Sequence, residues 1–360
     1  MSRALAITCC LLASACGRFR FGDDDDDAAT SDRPNVAFTT NAMMMGSLGG
    51  LAGADAICAN AAASARLPGT FIALLSTSTL NARDRLAGSR GWVNTAGDPV
   101  ADDPSELFEG GKMFGLVDRD ASGMRLPPTL LLTWSATDFS GAYDGGGACG
   151  DWTTTTGSAE AGFYDRSAPG ELATNNVLCA TDAHLYCFET GHVAQVTPRV
   201  SQGRIAFVSR EVGVLGLSGF DDLCRMEATN AGLPGTYLAA IATTTTTIAS
   251  RFAATTPWRR VDGTAITETA ANMFDGTVLL AVIHQRADGT YLTNRFTPVI
   301  RVGMSSPTEV GTAAGTCSDW TTTTGTGELM GTPVESNPAE IWGPSIGDCG
   351  SPVSVLCLQE

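Results

Sequence analysis

Eight cysteines fall into two groups of four with nearly the same spacing. Cys58, Cys149, Cys179 and Cys187 are separated by 91, 30 and 8 residues, and Cys224, Cys317, Cys349 and Cys357 by 93, 32 and 8. Agreement over three intervals marks a duplication, and other landmarks repeat at an offset of 166 residues. LAGADAIC (51–58) matches LSGFDDLC (217–224), and LPGTF (67–71) matches LPGTY (233–237). Trp92, Gly97, Phe108 and Gly110 match Trp258, Gly263, Phe274 and Gly276. CGDWTTTTG (149–157) returns almost unchanged as CSDWTTTTG (317–325). The chain therefore reads as two modules, 35–190 and 204–360, joined by a linker over 191–203 whose Pro198 and glycines suit a connection. Two copies are too few for a solenoid.

The N-terminus reads as an export signal over 1–15. Arg3 is followed by the apolar stretch ALAITCCLLASA (4–15), too short to span a bilayer. It ends in ASAC (13–16), which resembles a bacterial lipobox with Ala13 in the place of the more usual Leu. That resemblance implies cleavage before Cys16 and lipidation of it. The next segment, 16–34, contains five consecutive Asp residues, which repel one another and bury nothing, so it is expected to be an acidic tether. The expected location is the bacterial cell envelope, at the outer membrane or cell surface, with the membrane met only through the lipid anchor. The net charge is −16. Residues 35–191 hold 17 acids and 8 bases, and 203–360 hold 15 and 9, so neither module offers a basic stripe for nucleic acid.

Four cysteines per module in an exported chain argue for two disulfides each, with three pairings possible. Joining Cys179 to Cys187 is disfavoured, because LYCFE (185–189) reads as a strand. Eight extended residues reach about 26 Å, against the roughly 5.5 Å that a bridge spans between Cα atoms, unless the chain turns back at ATDAH (180–184). The residues leave the other two pairings open; first-to-fourth with second-to-third would tie the ends of each module together. Local patterns predict short strands at NVAFTT (35–40) and RIAFVS (204–209). A helix from about Gly53 places Ala54, Ile57, Cys58, Ala61, Ala62 and Ala65 on one face. Ser218 and Asp221 read as a capping box for its counterpart. Core strands follow at TFIALLS (70–76) and TYLAAIA, then short helices at 81–88 and 248–255, and terminal strands at HLYCFE and VSVLCLQE. The fold class is α+β, with helices early and antiparallel strands late.

The order GGLAGADAIC, LPGTFIALLS, TWSAT (133–137), CGDW and LYCFE resembles the endostatin-like branch of C-type lectin-like domains, over about 310 of the 360 residues. The resemblance implies two tandem modules with nested disulfides: Cys58–Cys187, Cys149–Cys179, Cys224–Cys357 and Cys317–Cys349. Module 2 departs from it where VIRVGM (299–304) stands in place of TWSAT, and Trp342 has no partner in module 1. The Trp of each CGDW/CSDW stretch is expected to pack beside a disulfide rather than offer a sugar-stacking face, with DWTTTT starting a strand or loop edge.

Catalytic signatures are missing from the sequence: it holds no usable G-x-S-x-G, no P-loop and no H-E-x-x-H. Its three histidines, His184, His192 and His284, do not recur between modules. Without C-x2-C spacing the cysteines do not read as zinc ligands. The loop 138–152 sets Asp138, Asp144 and Asp151 among glycines, oxygen ligands suited to weak Ca²⁺ binding. The matching module 2 loop keeps only Glu309 and Asp319, and the E-P-N, Q-P-D and W-N-D triplets of sugar-binding members are missing. The expectation is a non-catalytic, cell-surface binding or adhesion protein for an extracellular glycan or protein ligand, with no cofactor beyond weak Ca²⁺. The alternatives are a structural envelope protein, or an enzyme on the same fold resembling formylglycine-generating sulfatase modifiers, which need a reactive Cys.

Overall fold

The computed structural model describes residues 33–108, 111–128, 132–166, 175–253, 255–292, 299–343 and 345–360. The signal-like segment, Cys16 and nearly all of the acidic tether lie outside the described residues. Among the described residues no helix is long and apolar enough to cross a membrane.

Each half of the duplicated sequence builds its own sheet. In repeat 1 the strands are β1 (Asn35–Thr39), β2 (Thr70–Ala73), β3 (Trp92–Asn94), β4 (Pro99–Ala101), β5 (Leu132–Trp134), β6 (Ser158–Phe163), β7 (Asn175–Leu178) and β8 (His184–Thr190). They lie in the order β4-β3-β1-β8-β5-β6-β7, with β2 also on β8. Repeat 2 has β9 (Arg204–Val208), β10 (Tyr237–Ala239), β11 (Trp258–Arg259), β12 (Ile300–Arg301), β13 (Thr326–Gly331), β14 (Ser345–Asp348) and β15 (Ser354–Gln359), in the order β11-β9-β15-β12-β13-β14, with β10 on β15. The class is α+β as the sequence implies, but the sheets are mixed rather than antiparallel. β1 pairs with β3, and β5 with β8, in parallel, as do β9 with β11 and β12 with β15. The sequence could not show this, because the parallel partners are far apart in the chain and joined by long loops.

The closing strands β8 and β15 lie at the centre of each sheet and read as unbroken apolar runs because both faces are covered. Successive side chains alternate between two cores. Leu185 and Cys187 join the cluster under the long helix, while Tyr186 and Phe188 join the cluster with Trp92 and Phe108. Val355 and Cys357 in repeat 2 are separated from Leu356 and Leu358 in the same way.

The long helices, Gly50–Ser64 and Gly216–Asn230, pack on the strand pairs β2–β8 and β10–β15. Ala54, Cys58 and Ala62 are the buried face in repeat 1, small enough for close approach to the sheet. Disulfides Cys58–Cys187 and Cys224–Cys357 clamp each helix to the closing strand, and Cys149–Cys179 and Cys317–Cys349 lie within their span. Nesting is thus the pairing the structure has.

The motif G-x-D-x-x-C has a second task. Asp55 accepts from the Ala73 amide and both Oδ atoms meet Arg85 at 2.7 Å; Asp221 does the same with the Ala239 amide and Arg251. Each Arg also donates to the carbonyl of that same alanine. Asp221 is therefore not half of a capping box. The helix begins at Gly216, with Leu215 as a cap that makes no side-chain hydrogen bond, so Ser218 lies inside it. The short helix after β2 contracts to Ala82–Arg85 and its counterpart to a 3-10 turn at Ala249–Arg251, each just long enough to present its Arg.

The linker does more than connect. Gly191 N donates to Ser89 Oγ, Val196 N to Asp102 Oδ1 and Ser201 N to the Gly263 carbonyl, strapping it to both repeats. Across the junction, Arg260 donates to the carbonyls of Met113 and Phe114, and Arg125 to those of Val278 and Leu279. Arg166 and Glu335 form a further ion pair between the repeats.

Candidate functional site

The repeated CGDW and CSDW stretches do not start strands. Each is one turn of left-handed helix. Cys149, Gly150, Asp151 and Trp152 have φ of 51°, 60°, 51° and 66°, and Cys317, Ser318, Asp319 and Trp320 have 48°, 54°, 53° and 63°. The turn is closed from Trp152 N to the Ala148 carbonyl and from Thr153 N to the Cys149 carbonyl, with the same bonds at Trp320 and Thr321. For L-residues this conformation costs roughly 1–2 kcal/mol each, so it persists only where its surroundings over-determine it.

Three anchors do so, and all three are duplicated. The Cys is in a disulfide. The Trp is fully buried and its indole N–H donates at 2.8 Å to the Ser76 carbonyl in repeat 1 and the Ala242 carbonyl in repeat 2. The Asp takes two bonds from the facing loop: Asp151 from Ser78 N and Oγ, Asp319 from Thr244 N and Oγ1. Hydrogen bonding from Thr244 first of all holds the Asp319 carboxyl below its ordinary range.

This ties two hydroxyl-rich loops together at one end of each repeat. The first is folded by Thr77 Oγ1, which accepts from the amides of Thr79 and Leu80; Thr243 Oγ1 does the same for Thr245 and Thr246. In the second, Thr154 Oγ1 takes the Thr156 amide and Thr322 Oγ1 the Thr324 amide. Ser78, Thr79, Thr153, Thr155 and Thr156 are exposed in repeat 1, and Thr245, Thr321, Thr323 and Thr324 in repeat 2. The result is a pre-folded array of hydroxyl groups, able to donate and accept. Trp92, Trp134, Trp152, Trp258, Trp320 and Trp342 are all buried, so no tryptophan offers a stacking face.

The three acidic residues of the 138–152 loop separate by role. Asp138 Oδ1 takes Ser140 N, Ser140 Oγ and Ala142 N, an Asx turn. Both oxygens of Asp151 are held by Ser78. Asp144 Oδ2 accepts from Gly146 N, while Oδ1 is buried and has no hydrogen-bond partner among the described residues. Burial, with a smaller contribution from Asp138, raises the Asp144 carboxyl above its usual range; burial and then Asp144 do the same to Glu160. Among the described residues the one set of three metal-ligand side chains within 4.8 Å is Cys317, Glu328 and Cys349, whose sulfurs are bonded to each other.

The histidines are held by structural contacts. His184 Nδ1 lies 2.6 Å from the Thr40 carbonyl and its ring meets Tyr164 edge-on. His192 is 3.4 Å from Glu189. His284 is buried at the junction, 3.1 Å from Arg260 Nη1, and burial first, then the Arg260 charge, pushes it down to about 3. All eight module cysteines are in disulfides.

The break in the resemblance at VIRVGM has a physical counterpart. By strand register Trp134, opposite Leu185 and Ala161, corresponds to Arg301, opposite Val355 and Met330. Two residues along, Ala159 corresponds to Glu328. Where repeat 1 buries Trp134 against Ala159 in one core cluster, repeat 2 buries an Arg301–Glu328 ion pair, both fully inaccessible. Arg301 also donates to the Ser351 carbonyl. Sequence reasoning missed this pair, the Asp55–Arg85 and Asp221–Arg251 pairs and Arg260. The first two Asp were visible in the repeated motif, but their Arg partners lie 30 residues away with no local pattern to flag them.

Comparison with protein-family models gives no match for this chain, and comparison with curated proteins finds no relative.

Proposed function

We propose that the chain is an exported, lipid-anchored, non-catalytic binding protein of two C-type-lectin-like, endostatin-like modules. It meets an extracellular glycan or protein ligand through the hydroxyl loops at the end of each repeat. The observation that carries the reading is the duplication of a strained, three-way anchored turn that serves to hold two polar loops together. Keeping the same strained turn and the same Asp clamp in both copies is a cost that a surface without a task does not require. Four disulfides suit an oxidising compartment and a lipobox-like ASAC suits an anchor at Cys16. With stacking faces absent among the tryptophans, recognition rests on hydrogen bonds, and two sites on one chain gain avidity on a multivalent ligand. The protein is tested against arrays of glycans and matrix proteins. Binding to a defined set supports the reading, and binding to none favours a structural envelope role. Intact mass of the native protein with acyl chains on Cys16, lost in Cys16→Ser, tests the anchor. An enzyme of the formylglycine-generating type requires a free module thiol, which thiol titration detects.

A further inference from the structure

Both repeats contain the same groove, of about 410 Å³ in each, between the C-terminal half of the long helix and a tight turn that follows the first strand in space. Register makes the two linings correspond position by position: Asn41 with Arg210, Ala61 with Glu227, Ser64 with Asn230, Asp120 with Arg286 and Ser122 with Asp288. The backbone has been kept and the chemistry changed. In repeat 1 the one charge, Asp120, is spent on its own turn, its Oδ1 accepting from Ser122 N, Ser122 Oγ and Met124 N. Repeat 2 passes that turn-forming task to Asp288, which takes Thr290 N and Oγ1, and so frees the position of Asp120 for an arginine.

Arg286 and Glu227 are the groups left with capacity. Among the described residues the one side-chain hydrogen bond of Arg286 runs from Nη1 to Ser354 Oγ at 3.3 Å, and Nε and Nη2 have no partner there. Glu227 accepts from the Arg210 amide at 3.2 and 3.3 Å, with the Arg210 guanidinium 3.8 Å away and itself mostly exposed. No ion pair joins Arg286 to Glu227 among the described residues, although each feels the charge of the other. Burial lowers Arg286 and raises Glu227 from their ordinary ranges, the mark of two charges stripped of water without full compensation.

We propose that the repeat 2 groove binds a zwitterionic ligand of the amino-acid type, its carboxylate on the open donors of Arg286 and its ammonium on Glu227. Opposite charges that share a groove but do not touch are satisfied together by a ligand carrying both signs. An arginine with two free donors matches a carboxylate in the bidentate geometry that makes such pairs strong. A simple anion is opposed by Glu227 and Asp288, and a simple cation by Arg210 and Arg286. This site is independent of the hydroxyl loops.

The test is titration calorimetry of the full chain with glycine, diglycine, acetate and methylammonium at millimolar concentration. Glycine and diglycine carry the same pair of charges at different separation, and the stronger of the two identifies a free amino acid or a peptide as the source. Binding of one of them, with acetate and methylammonium at least about tenfold weaker, is expected. Glu227→Ala, the residue repeat 1 has at that helix position, and the conservative Glu227→Gln and Arg286→Gln should each weaken binding by about tenfold or more without shifting thermal unfolding. Acetate binding as tightly as glycine, binding unchanged in the variants, or no binding of either zwitterion overturns the proposal.

Discussion

At the position where repeat 1 has Trp134 above Ala159, repeat 2 has Arg301 bonded to Glu328, and the exchange defines what each residue can tolerate. A buried ion pair is hard to break and easy to replace. Glu328→Ala alone strands a buried guanidinium and should cost about 3–5 kcal/mol, whereas Arg301→Met/Glu328→Leu should come within about 1 kcal/mol of the parent or exceed it. Denaturant unfolding of the three proteins checks the order; a double variant less stable than Glu328→Ala would contradict it. His284 supplies a pH dependence. Its folded value is depressed to about 3, while the unfolded ring titrates near 6.5. Between these the unfolded chain binds a proton that the folded chain refuses, so stability falls as pH drops below about 6.5, by on the order of 3 kcal/mol at pH 4. In His284→Asn, whose side-chain oxygen can still accept from Arg260, the slope of stability between pH 6.5 and 4 should be visibly flatter; an unchanged slope would assign the acid sensitivity elsewhere. None of this is legible from residue types alone, because Arg301 and His284 look like ordinary surface residues until the register buries them.

At the scale of elements, the left-handed turn sets the sharpest test. Repeat 2 forces Ser318 into the conformation that Gly150 adopts in repeat 1. Ser318→Gly should therefore stabilise by about 0.5–1 kcal/mol, the relief of left-handed strain less the added freedom of the unfolded chain. Gly150→Ala should destabilise, because its φ is 60° and the added Cβ would stand 2.8 Å from Thr154 Cγ2. Thermal unfolding of both checks the signs, and a stabilised Gly150→Ala would contradict the account. The helices, the core strands and the nested disulfides could be anticipated from periodicity, spacing and the family resemblance. The turn could not: threonine runs favour strands, and nothing local in C-x-D-W announces that a disulfide, a buried indole and an Asp clamp will hold four residues at positive φ. The 138–152 loop is a related case. Asp138 and Asp144 accept the bonds of local turns, a use that residue types and spacing do not separate from metal binding.

For the whole molecule, the duplication dictated two similar bodies, but not how they join. Arg260 reaches fully buried into the carbonyls of Met113 and Phe114, Arg125 reaches back to Val278 and Leu279, and the linker is bonded to both repeats. Those contacts predict one cooperative unfolding transition. Arg260→Met/Arg125→Met should separate it into two, seen by calorimetry; a single transition persisting in the double variant would show the junction to be unimportant. The central claim is that the Asp-clamped hydroxyl loops are the binding end of each repeat. It is tested most directly by measuring binding of the full chain to its array-selected ligand before and after Asp151→Ala/Asp319→Ala. Each lost clamp should cost about 1–2 kcal/mol of loop order and stability, well short of unfolding a repeat held by two disulfides. The account predicts that either single variant keeps one working site and loses avidity, and that the double variant loses binding while remaining folded. A folded double variant that binds the ligand as tightly as the parent would contradict it.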